Sequence, residues 1–104
     1  FRKAFRGRFE TLLKDHAAAW HDIWGTADVR IDGTSDIQKN VRFNIYHMII
    51  CGLSDDGFSS IGARTLSGEG YHGHIFWDAE IFMLPYYAYA MPDIAKNMLL
   101  YNTL

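Results

Sequence analysis

Apolar residues return at three- and four-residue intervals along the first stretch of the chain: Phe5, Phe9, Leu12, Leu13, Ala17, Trp20, Ile23 and Trp24. That period lays them on one stripe and predicts a single long helix over 1–24, with Gly25 as its stop. "DVRIDG", 28–33, alternates polar and apolar positions and predicts a short extended segment. In the following "TSDIQKNVRFNIYHMIICGL", Ser35 and Gln38 fit a capping box. The pattern places Ser35 as N-cap of a helix running from about Asp36 to Cys51 and ending at Gly52. Its apolar residues, Ile37, Val41, Phe43, Ile45, Tyr46, Met48, Ile49 and Ile50, occupy more than one face, which predicts burial on several sides.

"SDDGFSS" is turn chemistry. The stretch after it, "GARTLSGEGYHGHIFWDAE" (62–80), carries four glycines, two histidines, three acids, an arginine and a tryptophan. Its beginning is too rich in glycine for a helix interior and reads as a loop. From Trp77 the pattern turns helical, and Pro85 kinks that helix or ends its first part. A last helix begins at Pro92, with Asp93 favouring its positive end and Ile94, Met98, Leu99 and Tyr101 along it. Helices joined by loops, with strands nearly absent, predict an all-α fold. Long helices that are apolar on more than one side suit an α/α bundle or barrel better than a small free-standing domain.

Composition narrows the function classes. Hydrophobic residues are 49% and charged residues 21%, a globular balance, and aromatics reach 15%, rich for one small domain. Aromatic faces pack cores, and they also stack on sugar rings. The net charge of −2 offers no field for nucleic acid or a membrane surface. Arg2, Lys3, Arg6 and Arg8 form a small basic cluster that reads as a solvated helix face. Cys51 is the one cysteine and lies in an apolar run, a reduced core thiol. With no signal peptide and no apolar run of about 18 residues, neither export nor membrane spanning is expected, and the expected compartment is the cytoplasm. The chain opens on "FRKAF" and closes on "LLYNTL", both ends looking cut, so a piece of a larger protein is expected.

The chemistry concentrates in 62–80. Glycosidic bond cleavage uses carboxyl groups set around the scissile bond, and Glu69, Asp78 and Glu80 are the candidates. On a helix, Asp78 and Glu80 point about 200° apart and cannot face one sugar together. Asp78, beside Trp77 where loop becomes helix, is the better placed. Its carboxylate either holds two sugar hydroxyls while the indole covers the ring, or charges the helix start. The local pattern leaves both open. His74 and Asp78 stand at i, i+4, but no HExxH or Cys/His cluster accompanies them, so no metal is expected. His72 and His74 read as loop hydrogen-bonding groups or as lining a polar pocket. Ser67 is not in a GxSxG elbow, and Gly68, Gly70 and Gly73 match neither phosphate-loop pattern. These glycines read as shaping a tight loop close to a ligand.

Taken together, "IGARTLSGEGYHGHIFWDAEIFMLP" and "MPDIAKNMLLY" closely resemble glycoside hydrolase family 65, which includes the inverting maltose, trehalose, kojibiose and nigerose phosphorylases. "DIQKNVRFNIYHM" resembles that family's arginine–phenylalanine helix, so that the resemblance runs from about Trp20 onward. It implies that residues 1–104 form part of an (α/α)6-barrel catalytic domain, roughly its first four helices. Trp77 and Asp78 match positions that hold the non-reducing glucosyl unit. Arg42, Phe43, Glu69, Tyr71, His74 and Glu80 are expected to line the pocket. Three positions depart from the family pattern: Thr65 replaces a common glycine, Ala79 a threonine and Asn102 an arginine.

The implied reaction takes an α-linked glucosyl disaccharide and inorganic phosphate to β-glucose 1-phosphate and a free sugar. No cofactor enters. The general-acid glutamate and the phosphate-binding residues lie downstream in the family, and no residue here matches them, so no catalytic residue is assigned within the chain. A homodimeric parent is expected. Two alternatives stand beside the phosphorylase: a hydrolase of the same family, like the acid trehalases, and a stand-alone helical carbohydrate-binding or interaction module.

Overall fold

The computed structural model describes residues 2–103, and side chains from residue 5 onward. Four α-helices follow one another: α1 (Arg2–Ala27), α2 (Ser35–Cys51), α3 (Leu84–Ala90) and α4 (Pro92–Tyr101). A short 3-10 turn, Gly70–Gly73, and a π-helical turn, Ala79–Met83, interrupt the long connection between α2 and α3. Among the described residues there is no strand, and the all-α layout is that of a partial (α/α)6 barrel.

α1 does not stop at Gly25. It continues to Ala27, and the Asp28 N–H still donates to Trp24 O at 3.2 Å. A glycine in a helix interior costs only about 1 kcal/mol. Here Ala27 is buried with Ile45 and Ile49 of α2, flanked by Trp20, Ile23 and Trp24, and that packing carries the helix through. Towards its other end, α1 has exposed side chains among the described residues. Its apolar stripe is as the period predicts, yet Phe5, Phe9, Leu12 and Leu13 are all exposed. Arg6 and Arg8 are exposed as expected of a solvated face; the side chains of Arg2 and Lys3 lie outside the described residues.

The N-cap of α2 is Thr34, not Ser35, and no side chain caps the helix. Gln38 has a different task from the capping box assigned to it. Its Oε1 accepts the Ile31 N–H and its Nε2 donates to Val29 O, both at 2.9 Å. The amide thus serves the extended segment as a neighbouring strand would. The predicted burial of α2 on several sides is met in part. Ile45 and Ile49 are buried in one cluster and Met48 and Cys51 pack against the other, whereas Ile37, Phe43 and Tyr46 remain exposed, Tyr46 with its ring stacked on Trp20 at 5.3 Å.

The main core joins Ile61, Ala79, Tyr87, Ile94, Ala95 and Met98, with Met48, Cys51, Met83 and Leu84 packed around it. Tyr86 and Met91 touch both this cluster and the one at the end of α1. The two adjacent tyrosines of α3 fasten different helices. Tyr86 Oη donates to Ala27 O at 3.1 Å, and Tyr87 Oη to Met48 O at 2.7 Å. Burial holds the Tyr87 phenol far above its ordinary pKa, so it remains a donor at any physiological pH. As expected of Pro85, the helical run changes character there: its first, π-helical part ends at Met83 and α3 begins at Leu84. Pro85 stands in the first turn of α3, where the π-helical turn passes into α-helix and a residue without an N–H is tolerated.

α4 starts at Pro92 as the sequence predicts and buries Ile94, Ala95, Asn97 and Met98. Asn97 is the buried polar residue of the group. Its Oδ1 accepts the Gly57 N–H, and its Nδ2 donates to Ser59 O at 3.1 Å and to Asp56 Oδ1 at 3.4 Å. Gly57 supplies a positive φ of 64° at that turn. Asn97 therefore anchors the "SDDGFSS" loop, and through it the start of the long connection, to α4.

Candidate functional site

The connection from Gly62 to Asp78 is held by a series of short turns. Thr65 N–H donates to Gly62 O at 2.9 Å, Ser67 N–H to Arg64 O at 3.0 Å, His72 N–H to Glu69 O at 3.1 Å and His74 N–H to Tyr71 O at 2.9 Å. Tyr71, His72 and Gly73 occupy successive left-handed conformations, φ 64°, 51° and 75°. This sequence of positive φ values reverses the chain and brings Tyr71 against Phe76, ring edge to ring face at 5.5 Å. Thr65 is also left-handed, φ 54°. The position where the family commonly has glycine is therefore one where glycine fits and a β-branched residue is strained.

Two clefts share Trp77, whose side chain is exposed, as a lining residue. One, of about 440 Å³, is lined by Ala63, Arg64, Tyr71, Phe76, Trp77 and Asp78. The other, of about 450 Å³, is lined by Ile75, Phe76, Trp77, Glu80, Ile81, Tyr101 and Asn102. Asp78 and Glu80 are thus separated, as their spacing requires. Glu80 is already engaged, its Oε1 accepting from Asn102 Nδ2 at 2.8 Å.

Asp78 is the residue before the π-helical turn, yet its side chain makes no capping hydrogen bond. Its Oδ1 is buried and has no hydrogen-bond partner among the described residues. A buried carboxylate oxygen left unpaired costs free energy, on the order of 1–3 kcal/mol or more for a charged group. Asp78 therefore does not cap the helix, and its side chain lines the same cleft as the exposed Trp77 indole. Such an arrangement can take hydroxyl protons on one side of a sugar while the indole covers an apolar face.

The other expected pocket residues are distributed as follows. Tyr71 joins Trp77 and Asp78. Glu69 and His74 are exposed on the loop outside both clefts, His74 leaning on Phe76 with ring centroids 6.5 Å apart. Arg42 and Phe43 do not reach the Asp78 cleft. Arg42 grips Asp28 with two bonds, Nε to Oδ1 at 2.8 Å and Nη2 to Oδ2 at 2.6 Å, and lines a separate depression with Trp24. That bond to Arg42 holds the Asp28 carboxyl below its ordinary range. Phe43 is exposed beside the His47 ring, 4.5 Å away. The cause is local: α2 turns these two residues toward the 28–33 segment and solvent. Ala63, Arg64 and Phe76 were not singled out by the sequence; the signal for Arg64 was its glycines four and six residues on, a spacing with meaning only once the loop is folded.

Among the described residues no three His, Cys, Asp or Glu side chains gather in a way that could hold a metal ion. Cys51 is half-buried, its Sγ donating to Met48 O at 3.2 Å and lying 3.5 Å from Tyr87 Oη, and burial pushes the thiol pKa up. Among the described residues no helix is long and apolar enough to cross a membrane.

Residues 42–104 match the glycosyl hydrolase family 65 central catalytic domain. The chain is 44% identical over 100 residues to a kojibiose phosphorylase of Halothermothrix orenii, covering 96% of this chain and 13% of that protein. An alpha,alpha-trehalose phosphorylase of Geobacillus stearothermophilus is 46% identical over 91 residues, covering 86% of this chain and 12% of that protein. A maltose phosphorylase of Bacillus subtilis is 34% identical over 95 residues, covering 90% and 12%. The chain thus spans about an eighth of the length of the curated relatives it matches. A specific glycine-rich loop, the Trp77–Asp78 pair after it and this family match agree, and the chain belongs to glycosyl hydrolase family 65.

Proposed function

We propose that these 104 residues are part of the (α/α)6-barrel catalytic domain of an inverting α-glucoside phosphorylase, and that Trp77 and Asp78 hold the glucosyl unit being transferred. The observation that carries the reading is the cleft of about 440 Å³ that Asp78, making no cap and no side-chain hydrogen bond among the described residues, lines together with the exposed Trp77 indole. The kojibiose, trehalose and maltose phosphorylases matched by the chain support the reaction class.

In this reaction a glutamic acid elsewhere in the domain protonates the glycosidic oxygen as the bond to the anomeric carbon breaks. A phosphate oxygen forms the new bond from the opposite face, so an α-glucoside yields β-glucose 1-phosphate and a free sugar. Inorganic phosphate is already an anion and needs no protein base, whereas an inverting hydrolase needs a second carboxylate to activate water. Asp78 contributes by fixing the ring. Its oxygens accept from glucosyl hydroxyls, and the indole excludes water from the ring face. Glu80, bonded to Asn102 in the other cleft, is left outside this role. The reading includes a homodimeric enzyme in the cytoplasm, with no cofactor, nucleic acid or membrane partner; the net charge of −2 is in keeping with the last two.

The test incubates the full-length protein with kojibiose, trehalose, nigerose and maltose, with and without inorganic phosphate, assaying β-glucose 1-phosphate and free glucose. Phosphate-dependent sugar phosphate from one disaccharide is the expected result and fixes the linkage. Glucose released equally without phosphate makes the enzyme a hydrolase with the same glucosyl pocket. No turnover of any α-glucoside overturns the proposal.

A further inference from the structure

The Asp78 cleft contains a second charged side chain to which neither the sequence motif nor the proposed function gives a task. Arg64 lines it beside Tyr71, Phe76, Trp77 and Asp78. Among the described residues the one ion pair is Arg42 with Asp28, and the Arg64 guanidinium has no hydrogen-bond partner; only its backbone carbonyl is used. An arginine left without a partner on a surface is ordinary, but this one has a built seat. A Cβ placed on Gly70 would stand 2.7 Å from Arg64 Cδ and 2.8 Å from its Nε, and one on Gly68 3.9 Å from Nη1. The arginine side chain therefore lies directly over the "SGEG" loop, and Gly70 cannot be any other residue without moving it. At its base the Arg64 carbonyl accepts both the Ser67 N–H at 3.0 Å and the Ser67 Oγ–H at 2.6 Å, which fixes the turn from which the side chain departs.

The chemistry of the cleft follows from its two charged groups. Asp78 brings a carboxylate without a side-chain partner among the described residues to the cleft, and Arg64 a planar fork of donors. A neutral polyol uses both, giving hydroxyl protons to the carboxylate and accepting on hydroxyl oxygens from the guanidinium. An anion suits the site less well, with Asp78 in the cleft and Glu69 on the same loop. We propose that Arg64 is a direct contact residue for the transferred glucosyl unit, donating to a ring hydroxyl, and that Gly70 is kept small to seat it. This rests on the reading that Trp77 and Asp78 hold that unit. The two glycines of the loop then shape the pocket by way of an arginine, not by presenting their own N–H groups to a ligand.

The experiment uses the full-length protein and the disaccharide it turns over, at saturating phosphate, with monodeoxyglucosyl analogues of the same linkage. Arg64→Met is expected to lower kcat/KM for the disaccharide by about ten- to a hundred-fold, the range for a charged hydrogen bond, with KM for phosphate unchanged. Arg64→Lys rescues little, because an ammonium lacks the fork. One deoxy analogue, lacking the hydroxyl that Arg64 meets, should react at the same rate with wild type and Arg64→Met. Gly70→Ala should lose a comparable factor, and adding it to Arg64→Met should cost little more, since the two act through one contact. A uniform loss by Arg64→Met on every analogue, or a change confined to KM for phosphate, overturns the proposal. Asp78→Asn separates the two readings: if it is crippled while Arg64→Met is near wild type, Arg64 alone is wrongly assigned, and if Asp78→Asn is itself near wild type, the glucosyl pocket is.

Discussion

Asp78 and Glu80, two residues apart, line different clefts that both include Trp77. Asp78 keeps a buried oxygen without a partner, and Glu80 is bound to Asn102. Replacing each carboxylate in turn therefore has unequal consequences. Asp78→Ala should remove about 2–3 kcal/mol of transition-state binding, a fall in kcat/KM of roughly 30- to 150-fold. Glu80→Gln keeps an acceptor for Asn102 and should leave turnover within about twofold. Steady-state kinetics on the two variants of the full-length protein check this; equal losses would contradict the separation of the clefts.

Thr65 holds φ at 54°, where a β-branched side chain is strained and glycine is not. Thr65→Gly should stabilise the protein by about 0.5–1 kcal/mol, after allowing for the greater freedom of glycine in the unfolded chain. Thermal unfolding measures it. A lower Tm would mean that the threonine side chain contributes more than its backbone strain costs.

Asn97 is 3% exposed and serves Gly57, Asp56 and Ser59 together. Asn97→Leu cannot accept the Gly57 N–H or donate to Ser59 O, and it leaves both without this partner. A loss of about 2–4 kcal/mol is expected, with faster proteolysis in the 54–60 loop as its local signature. Urea unfolding and limited chymotrypsin or endoprotease Asp-N digestion report the two effects separately.

Acid should weaken the link between the end of α1 and α2. Arg42 holds the Asp28 carboxyl below its ordinary pKa of 3.8. A depressed carboxyl contributes stability that is fully present above its unfolded value and lost as pH falls through its folded value. The contribution is therefore intact at neutral pH and disappears only below about pH 4. Asp28→Asn should flatten the acid limb of the stability profile there and leave its shape above pH 5 unchanged. Melting temperatures across pH 2.5–7 test it.

Some of the site was readable without coordinates because it depends on neighbours in the chain. The two-residue spacing of Asp78 and Glu80 sends them apart on any helical turn, and a glycine-rich stretch cannot be a helix interior. Arg64 was not readable, since its significance depends on lying over Gly70, six residues away, in a loop whose path is set by three consecutive positive φ values. Where Arg42 and Phe43 lie relative to the Asp78 cleft was not readable for the same reason. A helix position gives a direction relative to its own axis, and only packing against Asp28 and the 28–33 segment decides what lies that way.

The sequence by itself determined the helices, because apolar period and proline position act over three or four residues and need no distant partner. It also carried the family, through a long motif whose residue types are constrained together. Helix ends and roles were decided by tertiary structure. Gly25 is overridden because Ala27 packs on Ile45 and Ile49, and Gln38 leaves the cap to hold Val29 and Ile31. The sequence offered Asp78 a helix cap, and the folded chain makes none there while placing the residue at a cleft. Local energies of about 1 kcal/mol propose such assignments, and burial and long-range hydrogen bonds, being larger in sum, dispose of them.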